Sequence, residues 1–130
     1  MIFDTTFIID LMERDEKAVI KLHDCIRKSE SQFITSITVF ELFSGLARCN
    51  RPKEEKEKIL KTLTGQIVLN LDNDCAEKAG EIDGSLIKDG KMISVTDSMI
   101  AGIALVKKEK VLTRNVKDFS KINGLYVETY

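Results

Sequence analysis

The chain has 130 residues, of which 43% are hydrophobic and 32% are charged. This balance is typical of a globular chain, predicts one domain over residues 1–130, and excludes a disordered protein. The formal net charge of −1 excludes a uniformly basic surface, although residues 48–61 carry a net charge of +3 and residues 107–121 carry +4. These two runs are either solvated helix faces or basic lobes that flank an acidic centre.

Five short apolar runs predict β-strands. They are Met1–Phe3, Gln32–Thr35, Gln66–Leu71, Lys110–Thr113 and Gly124–Val127. The apolar residues in these runs are continuous rather than alternating, which favours a parallel sheet that is covered on both faces.

Five helices are predicted between these strands. They span residues 15–28, 38–48, a segment that begins at Arg51-Pro52, 73–89 and 96–107. The residues predicted to form their buried stripes are Ala18, Leu22, Cys25 and Ile26; Val39, Phe40, Leu42, Phe43, Leu46 and Ala47; Ile59, Leu60 and Leu63; and Cys75, Ala79, Ile82 and Leu86.

The helix of residues 96–107 is apolar on nearly every face, so it is predicted to be central. Gly102, beside Ala101, is expected to allow close packing there. Strands that alternate with helices predict an α/β fold of three layers, α/β/α, with a central, mostly parallel sheet of four to five strands.

Acidic residues lie where a ligand of such a sheet would bind, at the carboxyl ends of the strands. Asp4 follows the first strand, and Glu41 lies in the first turn of the helix after the second. Asp97 begins the helix of residues 96–107, and Asp118 follows the fourth strand. Each acid can be explained singly as a helix cap, a first-turn residue or a turn residue. Together they would repel one another unless a cation neutralised them, and oxygen ligands without His or Cys favour Mg²⁺ or Mn²⁺ over zinc.

Four segments, MIFDTTFIID, ITSITVFELFSGL, VTDSMIAGIAL and VLTRNVKDF, resemble in order and spacing the motifs of PIN-domain ribonucleases. The resemblance covers essentially the whole chain, and it is strongest to the VapC toxins of type II toxin–antitoxin modules. It implies a PIN-like fold, Mg²⁺- or Mn²⁺-dependent endonucleolytic cleavage of RNA, a homodimer, and a cognate VapB-like antitoxin that blocks the site.

Position by position, the resemblance assigns the metal site to Asp4, Glu41 and Asp97. It implies that Asp4 and Asp97 are direct ligands, and that Glu41 is either a ligand or orients the attacking water. The fourth acid of the family commonly stands where this chain has Asn115, and Asp118 follows three residues later. Either of these two is expected to complete the catalytic site. The products expected of the family carry 5′-phosphate and 3′-hydroxyl ends.

Two other classes of function are compatible with the same residues. A receiver-like domain would use Asp72 or Asp74 as a phospho-acceptor, and a non-catalytic α/β interaction module would use the acids only as helix caps. A phosphotransferase of the haloacid-dehalogenase type would need a second Asp two residues after Asp4, where this chain has Thr6.

The cysteines predict a cytoplasmic protein. Cys25, Cys49 and Cys75 are an odd number without a C-x-x-C pair, and the single His23 has no zinc-ligand spacing to them. No segment approaches the roughly 18 apolar residues of a membrane span. The N-terminal segment lacks the Lys or Arg of a signal peptide.

Overall fold

The computed structural model describes residues 1–130 and contains strands that alternate with helices along the chain. The strands are β1 (Ile2–Phe3), β2 (Phe33–Thr35), β3 (Ile67–Leu69), β4 (Val111–Leu112) and β5 (Val127–Glu128). The helices are α1 (Thr5–Met12), α2 (Glu16–Arg27), α3 (Ser36–Leu46), α4 (Pro52–Leu63), α5 (Asn73–Lys88), α6 (Val95–Lys107) and α7 (Val116–Phe119).

All neighbouring strands are parallel, and their order is β3-β2-β1-β4-β5. The first strand of the chain is therefore the central one: Ile2 pairs with Phe33 of β2 on one side and with Val111 of β4 on the other. The strand order changes direction between β1 and β4, which is where open parallel sheets bind ligands. The predicted parallel α/β fold is confirmed.

Two apolar cores cover the two faces of this sheet. Successive side chains of a strand point to opposite faces, so Ile2 belongs to the core that contains the buried residues of α5 and α6, and Phe3 to the core beside α1 and α2. Helix α6 contributes six buried residues, which confirms its predicted central position. Gly102 lies where α6 approaches α5, and a Cβ atom built there would be 2.7 Å from the Cβ of Ala79.

The last strand differs from its predicted position. It is expected at Gly124–Val127 but begins at Val127. Gly124 has a φ of +80°, and the Leu125 N–H donates to the carbonyl of Ile122, so these residues form a turn before the chain enters β5.

Two helices, α1 and α7, were not predicted from the sequence. Helix α1 begins directly after β1, where the Asp4 side chain accepts a hydrogen bond from the N–H of Thr6. Helix α7 has only four residues, which is too short for an apolar stripe.

Three of the predicted buried stripes are too wide. Ile26, Phe40 and Leu60 are 57%, 61% and 49% exposed, and Ala47 is also exposed. Helices α2, α3 and α4 each meet the rest of the protein along one side, so apolar residues beyond that side remain in solvent.

The three cysteines differ in burial, and none is paired. Cys25 and Cys75 are buried, Cys49 is half-buried, and all three are free thiols. His23 is exposed. None of the helices combines the length and apolar character needed to cross a membrane.

Candidate active site

Asp4 lies at the C-terminal end of the central strand β1 and is buried. Its Oδ2 accepts three hydrogen bonds, from Thr113 Oγ1 at 2.8 Å, Thr6 Oγ1 at 2.9 Å and the Thr6 backbone N–H at 3.4 Å. No buried side-chain oxygen in the protein lacks a partner. The other carboxylate oxygen, Oδ1, therefore keeps contact with solvent and is available to a cation.

Glu41 lies on α3 and is half-buried next to Asp4. Thr5 Oγ1 donates to its Oε1 at 2.7 Å, and Thr96 Oγ1 donates to its Oε2 at 3.3 Å. Burial raises the pKa of the Glu41 carboxyl, and the negative charge of Asp4 raises it further. The two hydroxyl groups fix the orientation of the Glu41 carboxyl group, whose ionisation is disfavoured by burial and by the charge of Asp4.

Asp97 lies in the first turn of α6, where its backbone N–H donates to Ser94 Oγ at 3.1 Å. Burial raises the pKa of Asp97 to about 6, and the charges of Asp4 and Glu41 contribute to the same shift. The structure thus brings together three acids that lie far apart in the sequence, and their charges act on one another.

Asn115 connects Asp97 to Asp118. Its Nδ2 donates to Asp97 Oδ2 at 3.0 Å and to Asp118 Oδ2 at 3.1 Å. Lys121 Nζ lies 2.9 Å from Asp118 Oδ1, and the hydrogen bonds from Lys121 and Asn115 hold the pKa of Asp118 below its usual value. Asn115 therefore contacts Asp97 directly, whereas Asp118 lies behind it with its charge balanced by a lysine.

The donor set suits a hard cation that keeps some of its water. All the ligands on offer are oxygen atoms, and two of the carboxyl groups have raised pKa values that a positive charge would lower again. The side chains do not form a closed cage, since no group of three or more His, Cys, Asp or Glu residues is arranged to hold a metal ion. Mg²⁺ is commonly held by one or two carboxylates together with water and substrate phosphate, so this open arrangement fits it.

A layer of threonine hydroxyl groups supports the acids, and sequence reasoning missed most of it. Thr5 Oγ1 lies 3.2 Å from Thr38 Oγ1, which lies 3.2 Å from Thr35 Oγ1. Thr35 ends β2, Thr113 directly follows β4, and both are fully buried, while Thr96 directly precedes an acid. A threonine at the end of a buried strand, or directly beside an acid, is the sequence signal that marks these residues.

The acid expected to act in a receiver-like domain has a different environment. The Asp72 side chain accepts the N–H of Cys75 at 3.0 Å as the N-cap of α5 and pairs with Lys107 at 3.5 Å. It follows the edge strand β3, and Asp74 beside it is exposed. Helix capping explains Asp72, and its charged partner is a lysine rather than another acid.

The chain is similar to known proteins over most of its length. The family profile described as the PIN domain matches residues 1–125. Ribonuclease VapC3 of Methanocaldococcus jannaschii is 34% identical over 102 residues, which cover 78% of this chain and 95% of the relative. The tRNA(fMet)-specific endonuclease VapC of Salmonella typhimurium is 30% identical over 97 residues, which cover 75% of this chain and 74% of the relative. The DNA-bound VapBC structure from Salmonella typhimurium superposes with a TM-score of 0.86 at 26% identity and covers 98% of this chain and 96% of that one.

Proposed function

The chain belongs to the PIN-domain family and to the VapC ribonucleases within it, and on that premise we propose that it is a Mg²⁺- or Mn²⁺-dependent endoribonuclease, the toxin of a toxin–antitoxin pair. The observation that carries the proposal is the meeting of Asp4, Glu41 and Asp97 at one end of the sheet, where burial and mutual repulsion raise the pKa of two of them. A site that merely capped helices would not need to bring these charges together.

Each acid has a distinct part in the proposed reaction. Asp4 offers its free Oδ1 while Thr113 and Thr6 hold its Oδ2. Asp97 is held from the other side by Asn115. We propose Asp4 and Asp97 as the direct ligands. Glu41, whose two oxygens accept hydrogen bonds from hydroxyl groups, would orient the attacking water or act as a third ligand.

When bound, the divalent ion supplies a Lewis acid for the phosphate and lowers the pKa of a water molecule. Asn115 and Asp118 complete the surroundings: Asn115 fixes Asp97, and Asp118 fixes the amide of Asn115. Attack in line with the 3′ oxygen leaves a 5′-phosphate on one product and a 3′-hydroxyl on the other.

Cleavage of RNA should require the divalent ion. We expect the purified protein to cut total tRNA or a random-sequence RNA pool with Mn²⁺ or Mg²⁺, and to lose this activity in a chelator, because the acids cannot stabilise phosphate charge on their own. Gel analysis gives the rate, and sequencing after selective ligation identifies the ends.

Two outcomes contradict this function. Cleavage that persists in chelator and leaves 2′,3′-cyclic phosphate ends indicates a different mechanism. A protein that binds RNA or peptide without any Mn²⁺-dependent cleavage fits the interaction-module alternative. The Asp72→Asn variant tests the receiver-like alternative, since it should leave ion-dependent cleavage unchanged.

The proposed partner is a VapB-like antitoxin. The Salmonella structure is a VapBC assembly bound to DNA, which makes a VapB-like chain the expected partner of this one. The clustered acids favour an arginine from such a partner, because its planar guanidinium can satisfy two carboxylates at once.

Inhibition by the antitoxin should compete with the ion. We expect rising Mn²⁺ to weaken inhibition by an antitoxin peptide that carries an arginine, since both neutralise the same carboxylates. Cleavage of a fixed RNA is measured against peptide at several Mn²⁺ concentrations, and an Arg→Ala peptide is the control. Inhibition that is indifferent to Mn²⁺ and equal with the Arg→Ala peptide would place the antitoxin outside the acidic site.

The oligomeric state and the location of the protein remain predictions. The resemblance implies a homodimer, and Phe40 on α3 is an exposed aromatic residue available to such an interface. Three free thiols and an RNA substrate favour the cytoplasm.

A further inference from the structure

A second buried acid, Asp10, lies on α1 behind the site. Arg114 Nη1 donates to Asp10 Oδ1 at 2.7 Å, and the Tyr130 hydroxyl donates to Asp10 Oδ2 at 2.6 Å. Both oxygens of this carboxylate are therefore held by residues close to the C-terminal end of the chain. Burial raises the pKa of Tyr130, and its hydrogen bond to Asp10 adds to this, so the phenol stays protonated as the donor.

The group that Asp10 holds in place is mostly in solvent. The Asp10 side chain is 9% exposed, whereas that of Arg114 is 62% exposed. Only Nη1 of the guanidinium donates to a protein group, so Nη2 and Nε remain open to an external acceptor. Stability alone explains why a buried carboxylate has a partner, but not why that partner is an arginine with unused donors facing solvent.

The backbone of Arg114 is joined to the candidate site. Its N–H donates to Thr6 Oγ1 at 3.2 Å, and that hydroxyl is bonded to Asp4. Asp10 lies one helical turn after Thr6 on the same face of α1, about 9 Å along the helix axis from Asp4 at 1.5 Å per residue. Because Asp10 holds the guanidinium one helical turn further along α1 than Thr6, this group lies beside the clustered acids rather than among them. A phosphate next to the one that is cleaved would meet it there.

We propose that Arg114 binds the RNA phosphate next to the one that is cleaved, and that Asp10 and Tyr130 are positioning residues for its guanidinium. The inference rests on the proposed ribonuclease function. The planar guanidinium donates through Nη1 to Asp10 and presents its remaining N–H groups to the phosphate oxygens. Tyr130 shares the charge of Asp10, which leaves more of the positive charge of Arg114 for the phosphate. Tyr130 is itself fixed by an edge-to-face contact with Phe7, whose ring centre lies 4.8 Å away.

The test combines a protein variant with a change to a single phosphate. The probe is the shortest oligoribonucleotide that the wild-type protein cleaves at one position, together with a set in which each phosphodiester in turn is an uncharged methylphosphonate. We expect Arg114→Ala to raise KM about tenfold with kcat within about twofold, because binding of a remote phosphate is equal in the ground and transition states. The slope of log affinity against log salt should fall by about 0.7, the value for one contact to a single strand.

The position of the lost contact decides the proposal. When the methylphosphonate lies next to the cleaved bond, Arg114→Ala should have no further effect on KM, because the contact is already lost. When the methylphosphonate lies at any other position, the effect of Arg114→Ala on KM should add to that of the methylphosphonate. Additive effects at every position, including that one, overturn the proposal. Arg27→Ala is the matched control, because Arg27 also pairs with a carboxylate, Asp24 at 2.6 Å, but both residues lie on α2 and neither is bonded to the acids of the site.

Folding and function are separable in this design. Arg114→Ala leaves a buried charge at Asp10, so thermal denaturation is recorded and the Asp10→Asn/Arg114→Ala double variant removes that charge. Asp10→Asn and Tyr130→Phe should each raise KM in the wild type and have little effect on KM in the Arg114→Ala background. A purely structural role would give the same change in both backgrounds and overturns the positioning assignment. A wild-type protein that neither binds nor cuts RNA refutes the function itself, whereas cleavage without coupling at Arg114 refutes this inference alone.

Discussion

Asp97→Asn is expected to lower RNA cleavage by on the order of a thousandfold, and Asp4→Asn to do the same, because stabilisation of phosphate charge by a bound ion contributes several kcal/mol. Asn keeps the shape of the side chain and its hydrogen bond with Asn115, so the fold should persist. Single-turnover cleavage gives the loss of activity, and calorimetric titration with Mn²⁺ should show weaker binding in both variants.

The same Asp97→Asn change should stabilise the protein in chelator at neutral pH. The pKa of Asp97 is about 6 in the fold and 3.8 in the unfolded chain, so between these values the folded state binds more protons. The free energy of unfolding must then fall as pH rises from about 4 to about 6. Removing the carboxylate should restore roughly 1–2 kcal/mol above pH 6, after allowance for solvent screening, and should flatten the dependence of Tm on pH in this window.

The exposed Asp74 provides the control for the measurements of cleavage and of Mn²⁺ affinity. Asp74→Asn removes the same charge from the first turn of α5 and should change neither cleavage nor Mn²⁺ affinity. Unchanged Mn²⁺ affinity in Asp4→Asn and Asp97→Asn would refute their assignment as ligands. A Tm of Asp97→Asn that tracks the wild type across pH would show that burial of Asp97 and its repulsion by the other acids do not destabilise the fold.

Gly102→Val is expected to be the most destabilising single change outside the site. A Cβ atom at Gly102 would lie 2.7 Å from the Ala79 Cβ, the Ala79 backbone nitrogen and the Cys75 carbonyl oxygen. Two of these contacts are backbone atoms of α5 and cannot rotate away, so α5 and α6 would have to separate. We expect a loss of about 3 kcal/mol or more, a large part of the usual stability of a domain. Because α6 also carries Asp97, cleavage should fall in any protein that still folds.

The control is the same substitution at a glycine that has no close neighbour. Gly84 lies on α5, and no atom lies within 4 Å of the position that a Cβ would take there. Gly84→Val should therefore be neutral or slightly stabilising, by a few tenths of a kcal/mol. Chemical denaturation of the three proteins measures the difference. Equal stability of Gly102→Val and Gly84→Val would show that the two helices can adjust without cost.

The sheet and its acids could be predicted from the sequence because both depend on local signals. A parallel strand reads as a short apolar run, and Asp4 and Glu41 stand out because they come soon after β1 and β2. Asp97 stands out because it lies near the start of a helix that is apolar on nearly every face. The helix stripes were less well predicted, since the apolar periodicity of α3 does not indicate which side meets the sheet and so placed the exposed Phe40 in the core.

Contacts between distant parts of the chain could not be predicted in this way. Asp10 reads as one more polar residue in an apolar segment, and nothing near it in the sequence points to Arg114 or Tyr130. The bridge that Asn115 makes to Asp97 likewise depends on how α6 and the loop after β4 meet. The sequence left Asn115 and Asp118 as alternatives, and the structure gives them different neighbours instead of choosing one as a ligand.

The central position of β1 also determines when the site can form during synthesis. The strand that carries Asp4 is synthesised first, but one of its neighbours, β4, and the hydroxyl of Thr113 that holds the carboxylate emerge from the ribosome more than a hundred residues later. Until then one side of β1 lacks its neighbouring strand, and Asp4 lacks the hydrogen bond from Thr113. A chain that stops before Thr113 lacks this arrangement, so we expect it to have no nuclease activity.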